Sequence, residues 1–110
     1  MRRNITPELN TFATYELCYG NAFYEQPNGY GVRSSGFTVN GIDGTLYMGD
    51  VPIAGTTVGK IVFFKLVNNL PLIVKNDAGT VDYIHGEINL DVVNITGASL
   101  TSGVIEVEAI

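Results

Sequence analysis

Gly79-Thr80-Val81-Asp82-Tyr83-Ile84-His85-Gly86-Glu87-Ile88-Asn89-Leu90 spells two short strands and a tight connection between them. Val81 and Tyr83 alternate with Thr80 and Asp82, and Ile88, Leu90 and Val92 alternate with Glu87, Asn89 and Asp91. That two-residue period belongs to half-buried strands. The two runs join across Ile84 to Gly86. Gly86 can take the positive φ that a short hairpin connection demands, whereas β-branched Ile84 takes it only at a cost. The segment predicts an antiparallel hairpin, and no catalytic group is needed to account for it.

On the N-terminal side, Leu72 to Lys75 reads as a strand that Asn76-Asp77-Ala78-Gly79 turns into the hairpin. Lys60 to Val67 is apolar on both parities, Ile61 and Phe63 against Val62, Phe64 and Leu66, the pattern of a strand covered on both faces. Asn68-Asn69 breaks it, and Asp50 to Val58, with Pro52 and Gly55, reads as a loop. Asn40-Gly41 and Asp43-Gly44 supply turns before a short strand at Thr45 to Met48, and Val32 to Asn40 is extended with Phe37 and Val39 on one face. Thr11 to Tyr19 is a first strand with Ala13, Tyr15, Leu17 and Tyr19 on one face and Thr14, Glu16 and Cys18 on the other. Gly20 to Gly31, holding Gly20-Asn21 and Pro27-Asn28-Gly29, is a long loop. Beyond the hairpin, Val104 to Ile110 sets Ile105, Val107 and Ala109 against Glu106 and Glu108.

No window carries a sustained helical period, and the 13 glycines are spread too regularly for long helices. The expected fold is all-β, an antiparallel β-sandwich or flattened barrel of about seven to nine short strands. The 110 residues suit a single domain spanning 1–110. An initiator Met directly before Arg2-Arg3, and a strand pattern that runs to Ile110, suggest a piece of a longer chain.

Composition narrows the function. Charged residues make up 15% of the chain, against roughly 25% on average, while 45% is hydrophobic. So little charge implies that part of the apolar surface is covered by a partner or by another copy. A net charge of −5 with scattered basic residues disfavours nucleic acid. Arg2 and Arg3 read as a solvated terminus. No apolar run approaches the roughly 20 residues that span a bilayer, and the first residues lack a signal-peptide core, so no membrane association is expected. One cysteine excludes an internal disulfide and the cysteine metal spacings. Asn4-Ile5-Thr6 and Asn94-Ile95-Thr96 match the glycosylation pattern by chance.

Candidate chemistry is sparse. His85, the only histidine, reads as an exposed turn residue, without the partners that a hydrolase triad or zinc site needs. Asp50, Asp77 and Asp82 lie near turns and offer oxygen ligands of the kind that calcium takes, but the alternating 12-residue loop is absent. Glu106 and Glu108 share one strand face, which reads as a solvated edge rather than a glycosidase pair. Gly29-Tyr30-Gly31 and Gly41-Ile42-Asp43-Gly44 lack the ending and the helix of a phosphate loop. Cys18 reads as a small packed residue. No catalytic residue, metal ligand or cofactor is expected. Phe23, Tyr24 and Tyr30 form a possible binding loop, although rings that pin an irregular segment to a core are commoner.

Ser34-Ser35-Gly36-Phe37-Thr38-Val39, Gly59-Lys60-Ile61-Val62-Phe63-Phe64, Gly79-Thr80-Val81-Asp82-Tyr83 and Gly86-Glu87-Ile88-Asn89-Leu90, with Asn10-Thr11 and Gly20-Asn21-Ala22 before them, resemble a domain of the large baseplate wedge protein of T4-type contractile-tailed bacteriophages. The likeness is sharpest in Gly-x-Val-Asp-Tyr-x-x-Gly-x-Ile-x-Leu and weakest in the loop at Gly20 to Gly31. The resemblance implies a structural, non-enzymatic virion protein of the tail baseplate, made in the host cytoplasm. Its implied partners are other baseplate subunits and a second copy of itself. It also implies structural roles for Gly79 and Gly86 in the backbone, for Val81, Tyr83, Ile88 and Leu90 in the core, and a polar role for Asp82 near the turn. The alternative is a carbohydrate- or receptor-binding β module with Tyr24 and Tyr30 as an aromatic platform.

Overall fold

The hairpin at residues 79–90 forms the seam at which a β-barrel closes. The computed structural model describes residues 1–24, 26 and 29–110. In it, β7 (Leu70–Asp82) pairs antiparallel with β8 (Glu87–Ala98) in the register Gly79↔Leu90, Thr80↔Asn89, Val81↔Ile88 and Asp82↔Glu87. Gly86 adopts a φ of 67°, and its N–H donates to the Asp82 carbonyl at 2.9 Å. The remaining strands are β1 (Arg2–Ile5), β2 (Phe12–Cys18), β3 (Val32–Ser34), β4 (Phe37–Val39), β5 (Ile42–Pro52), β6 (Val58–Val67) and β9 (Ile105–Ala109). Antiparallel pairing runs β8-β4-β5-β6-β7 and returns to β8, so five strands close a barrel, as the all-β reading expected. β2 flanks β8, and β1-β9-β3 forms a separate three-stranded sheet.

The inward positions of the period-two pattern fill the barrel. Leu46, Ile61, Val81 and Ile88 are fully buried, and Phe37 meets Phe63 edge-on at 5.0 Å. Side chains of this size each contribute about 1.5–3 kcal/mol when buried. Ile105, Val107 and Ala109 of β9 complete the core from the second sheet, as their alternation with Glu106 and Glu108 predicts. The buried Tyr19 hydroxyl donates to the Val107 carbonyl at 2.8 Å, and burial pushes that phenol well above its ordinary range.

Several expectations need correction. Asp43-Gly44 is not a turn: β5 runs through it, and Thr38 faces Asp43, Gly44 and Thr45 across a bulge in which Gly44 has a φ of 90°. Asn76 to Gly79 is likewise no turn. β7 is continuous for 13 residues, and Val62 alone faces Asn76, Asp77 and Ala78. The same residue types serve turns and bulges, so composition did not separate them. Val32 to Asn40 is two strands in different sheets, changing over at Ser35-Gly36. The alternation after Leu90 breaks at a bulge where Thr14 faces Asp91 and Val92, which leaves Val92 exposed. Arg2 and Arg3 are exposed, as the solvated reading expected, and lie in β1, while β9 is the central strand of its sheet rather than an edge. Pro27-Asn28 of the predicted loop lies outside the described residues.

Candidate interaction surface

The strand expected to be covered on both faces is covered for only half its length. Ile61, Val62 and Phe63 are buried, but pairing with β5 ends at Tyr47↔Phe64. Beyond that point β6 and β7 continue as a two-stranded arm, with Lys65↔Leu72, Leu66↔Pro71 and Val67↔Leu70 opposite each other. Asn68 and Asn69 form its two-residue tip with φ of 53° and 64°, the left-handed pair of a type I′ connection, which asparagine tolerates better than most residues. Residues directly opposite share a face. Val67, Leu70 and Leu72 therefore lie on one side of the arm, and Leu66, Pro71 and Ile73 on the other. Leu66, Val67, Leu70, Leu72 and Ile73 are all exposed, Leu70 at 68%. An isolated two-stranded ribbon is marginal in water, and one that is apolar on both faces presents a surface suited to covering.

The Leu66 and Ile73 side of the arm continues an aromatic strip on the barrel wall. Phe64 lies 5.8 Å from Tyr47 and 5.0 Å from Tyr30. Tyr30 in turn covers Gly49, where an added Cβ would come within 2.6 Å of the ring. Val62, paired with Gly49, is buried outside the main core cluster. Burial, and secondarily the Asp50 carboxylate, raise the Tyr30 phenol. At the barrel end a groove of about 170 Å³ opens between Phe12, Ile42, Lys75 and Val92, over a floor that includes Phe63 and Val93. Phe12 and Val92 are exposed at 68% and 60%.

The predicted site residues disperse. Phe23 is buried, edge-on to Tyr19 at 4.9 Å, and Tyr30 lies against Phe64, so among the loop rings only Tyr24 stands free of the wall, at 71% exposure. The three do not form one platform. His85 is exposed in the turn, as expected, and its Nδ1 lies 2.8 Å from Asp82 Oδ2, while Asp82 Oδ1 accepts the N–H groups of Ile84 and His85. The polar role of Asp82 is thus to cap the hairpin turn. Val81, Tyr83, Ile88 and Leu90 are buried. A Cβ on Gly79 would strike the Asn89 carbonyl, and one on Gly86 the Asn21 carbonyl.

Asp50, Asp77 and Asp82 do not converge, and among the described residues no group of three metal-ligating side chains exists. Asp50 is instead a buried strand residue that no sequence signal identified. Its Oδ1 accepts Val32 N–H at 2.9 Å and its Oδ2 accepts the Tyr83 hydroxyl at 2.7 Å. Glu106 and Glu108 both lie near Arg2, at 3.8 and 3.5 Å, across the β1–β9 pair. Cys18 is exposed rather than packed, because β2 turns that face to solvent. Among the described residues no helix is long and apolar enough to cross a membrane.

No protein-family model matches the chain, and neither curated proteins nor solved structures give a match.

Proposed function

We propose that this barrel is a structural domain that acts through protein–protein contacts, with the β6–β7 arm as its principal contact surface. The observation that carries the reading is the arm itself: five exposed aliphatic side chains on both faces of a ribbon that has no third strand beside it among the described residues. Covering such a surface supplies the driving force for association, and low overall charge leaves little to oppose it. The resemblance of the hairpin run to the baseplate wedge protein supports a setting in a phage tail baseplate, among other baseplate subunits. The carbohydrate- or receptor-binding alternative has less support, since its aromatic platform reduces to Tyr24.

Cross-linking mass spectrometry on the purified particle that carries this chain tests the proposal. Cross-links from Lys65 or Lys75 to another subunit or a second copy are expected. Recovery of both lysines free of any protein neighbour, or absence of the chain from the particle, would overturn it.

A further inference from the structure

We propose that Asn40 is a site of spontaneous covalent modification, at which the backbone nitrogen of Gly41 closes on the Asn40 carboxamide, expels ammonia and leaves aspartate or isoaspartate at the end of the barrel. It goes beyond the assembly reading and holds whether or not the arm is a contact surface.

Asparagine is among the thermolabile residues. Its carboxamide is attacked by the nitrogen of the next residue, so a side chain on that residue stands in the way and glycine offers none. Only two of the ten asparagines precede glycine, Asn28 and Asn40, and Asn28 lies outside the described residues. The fold itself demands Gly41. Asn40 and Gly41 form the two-residue connection between Val39 and Ile42, which face each other across β4 and β5. Gly41 takes a φ of 86°, near the value that a type II turn gives its third residue and that glycine adopts without strain. The residue that lets the chain reverse is therefore the one that leaves Asn40 open to attack.

The reacting groups are unencumbered. Both residues are exposed. A Cβ built on Gly41 would meet nothing within 4 Å, so no neighbouring element crowds its nitrogen. Among the described residues no hydrogen bond engages the Gly41 N–H, whereas the N–H of Asn40 itself is anchored to the Asn94 carbonyl at 2.9 Å. The other described asparagines all precede a residue with a side chain. Asn68 and Asn69 at the arm tip precede Asn69 and Leu70, and Asn89 and Asn94 lie within β8 ahead of Leu90 and Ile95.

Water is the only co-reactant. The Gly41 nitrogen bonds to Asn40 Cγ, the Cγ–Nδ2 bond breaks, and ammonia leaves with the Gly41 proton. Water then opens the succinimide ring at either carbonyl. Opening at one restores the ordinary backbone with an aspartate side chain. Opening at the other routes the main chain through the side chain and lengthens it by a methylene. Either product puts a carboxylate at residue 40, in the barrel-end groove whose one charged lining residue is Lys75. Isoaspartate also lengthens a connection that joins β4 to β5 with two residues, so the aged chain differs in charge and in backbone path.

Peptide mass spectrometry tests this on the folded chain, stored at mildly alkaline pH beside a sample kept mildly acidic. The tryptic peptide 34–60 holds Asn40 as its only asparagine and no glutamine, so an amide-to-acid mass gain there reports this residue alone. The gain should accumulate with time at alkaline pH, while the peptides holding Asn68, Asn69, Asn76, Asn89 and Asn94 stay unchanged. An isoaspartyl methyltransferase should label peptide 34–60 of the stored protein and not that of Asn40→Gln. Gly41→Ala should slow the conversion severalfold. A peptide 34–60 that stays unchanged in the folded chain, whether or not it converts in urea, would overturn the proposal. A Gly41→Ala rate equal to that of wild type, or equal conversion at Asn68 or Asn94, would overturn the role given to the glycine and with it the assignment of Asn40.

Discussion

The Tyr83 hydroxyl donates to Asp50 Oδ2 at 2.7 Å, joining two residues 33 positions apart in sequence. The other oxygen of the same carboxylate takes Val32 N–H at 2.9 Å. One buried side chain on β5 therefore ties the end of the barrel seam to the three-stranded sheet. Gly59 preserves the space, since a Cβ there would run into the Tyr83 hydroxyl. Tyr83→Phe is expected to cost about 1.5–3 kcal/mol, the range for a hydrogen bond to a charged group, and Asp50→Ala about 2–5 kcal/mol because two buried donors lose their acceptor. Urea denaturation measures both, and a Tyr83→Phe variant as stable as wild type would remove the tie.

Gly86 and Gly41 both take positive φ, at 67° and 86°, but in different surroundings. At Gly86 an added Cβ meets the Asn21 carbonyl, whereas at Gly41 nothing lies within 4 Å. Gly86→Val should therefore destabilise the domain by several kcal/mol or abolish folding, through collision and backbone strain together. Gly41→Ala should cost only about 1 kcal/mol, from strain alone. Equal losses would show that the turn at residues 83–86 is not the tight seam described.

The seam turn should also respond to pH. The Asp82 hydrogen bond raises the His85 imidazole above its ordinary 6.5, and hydrogen bonds from His85, the backbone N–H first, hold the Asp82 carboxyl below its ordinary 3.8. The His85 contribution is full below pH 6.5 and is lost as pH rises through the raised value. The Asp82 contribution is full above pH 3.8 and is lost as pH falls through the lowered one. The turn is thus best stabilised between those limits. Both groups are exposed, so the effect on global stability is small. An NMR titration should place the His85 midpoint above 6.5, and Asp82→Asn should lower it. A midpoint that Asp82→Asn leaves unchanged would contradict the pairing.

Cys18 is exposed yet should react sluggishly. Its thiol donates to Glu16 Oε1 at 3.2 Å, and that bond, with some burial and the charges of Glu16 and Glu87, raises its pKa. Alkylation by iodoacetamide near pH 8 should run slower than for free cysteine, and Glu16→Gln should speed it, because the thiolate is the reacting form. A rate that Glu16→Gln does not change would remove the contact.

What the sequence could convey followed from how local each feature is. The hairpin at residues 79–90 was legible because its period and its turn glycine lie side by side. β1 was not, since Arg-Arg-Asn-Ile offers a single inward apolar residue, Ile5, and is held by β9 from the far end of the chain. Asp43-Gly44 and Asn76 to Gly79 carry turn residues that were spent on bulges, a choice made by the partner strands. Asp50 resembled any turn aspartate because its two donors come from β3 and from the seam. The arm was legible as apolar on both parities, but that pattern cannot say whether the cover comes from the same molecule or from another. This is why Leu66 read as covered while the structure leaves it exposed.

Amide hydrogen exchange at residues 65–75, in the dilute chain and again in the assembled particle, reports whether the arm is a contact surface. Rapid exchange is expected throughout the free arm, with strong slowing there on assembly and little change at residues 79–90 of the seam. An arm that exchanges equally fast in both states would contradict it.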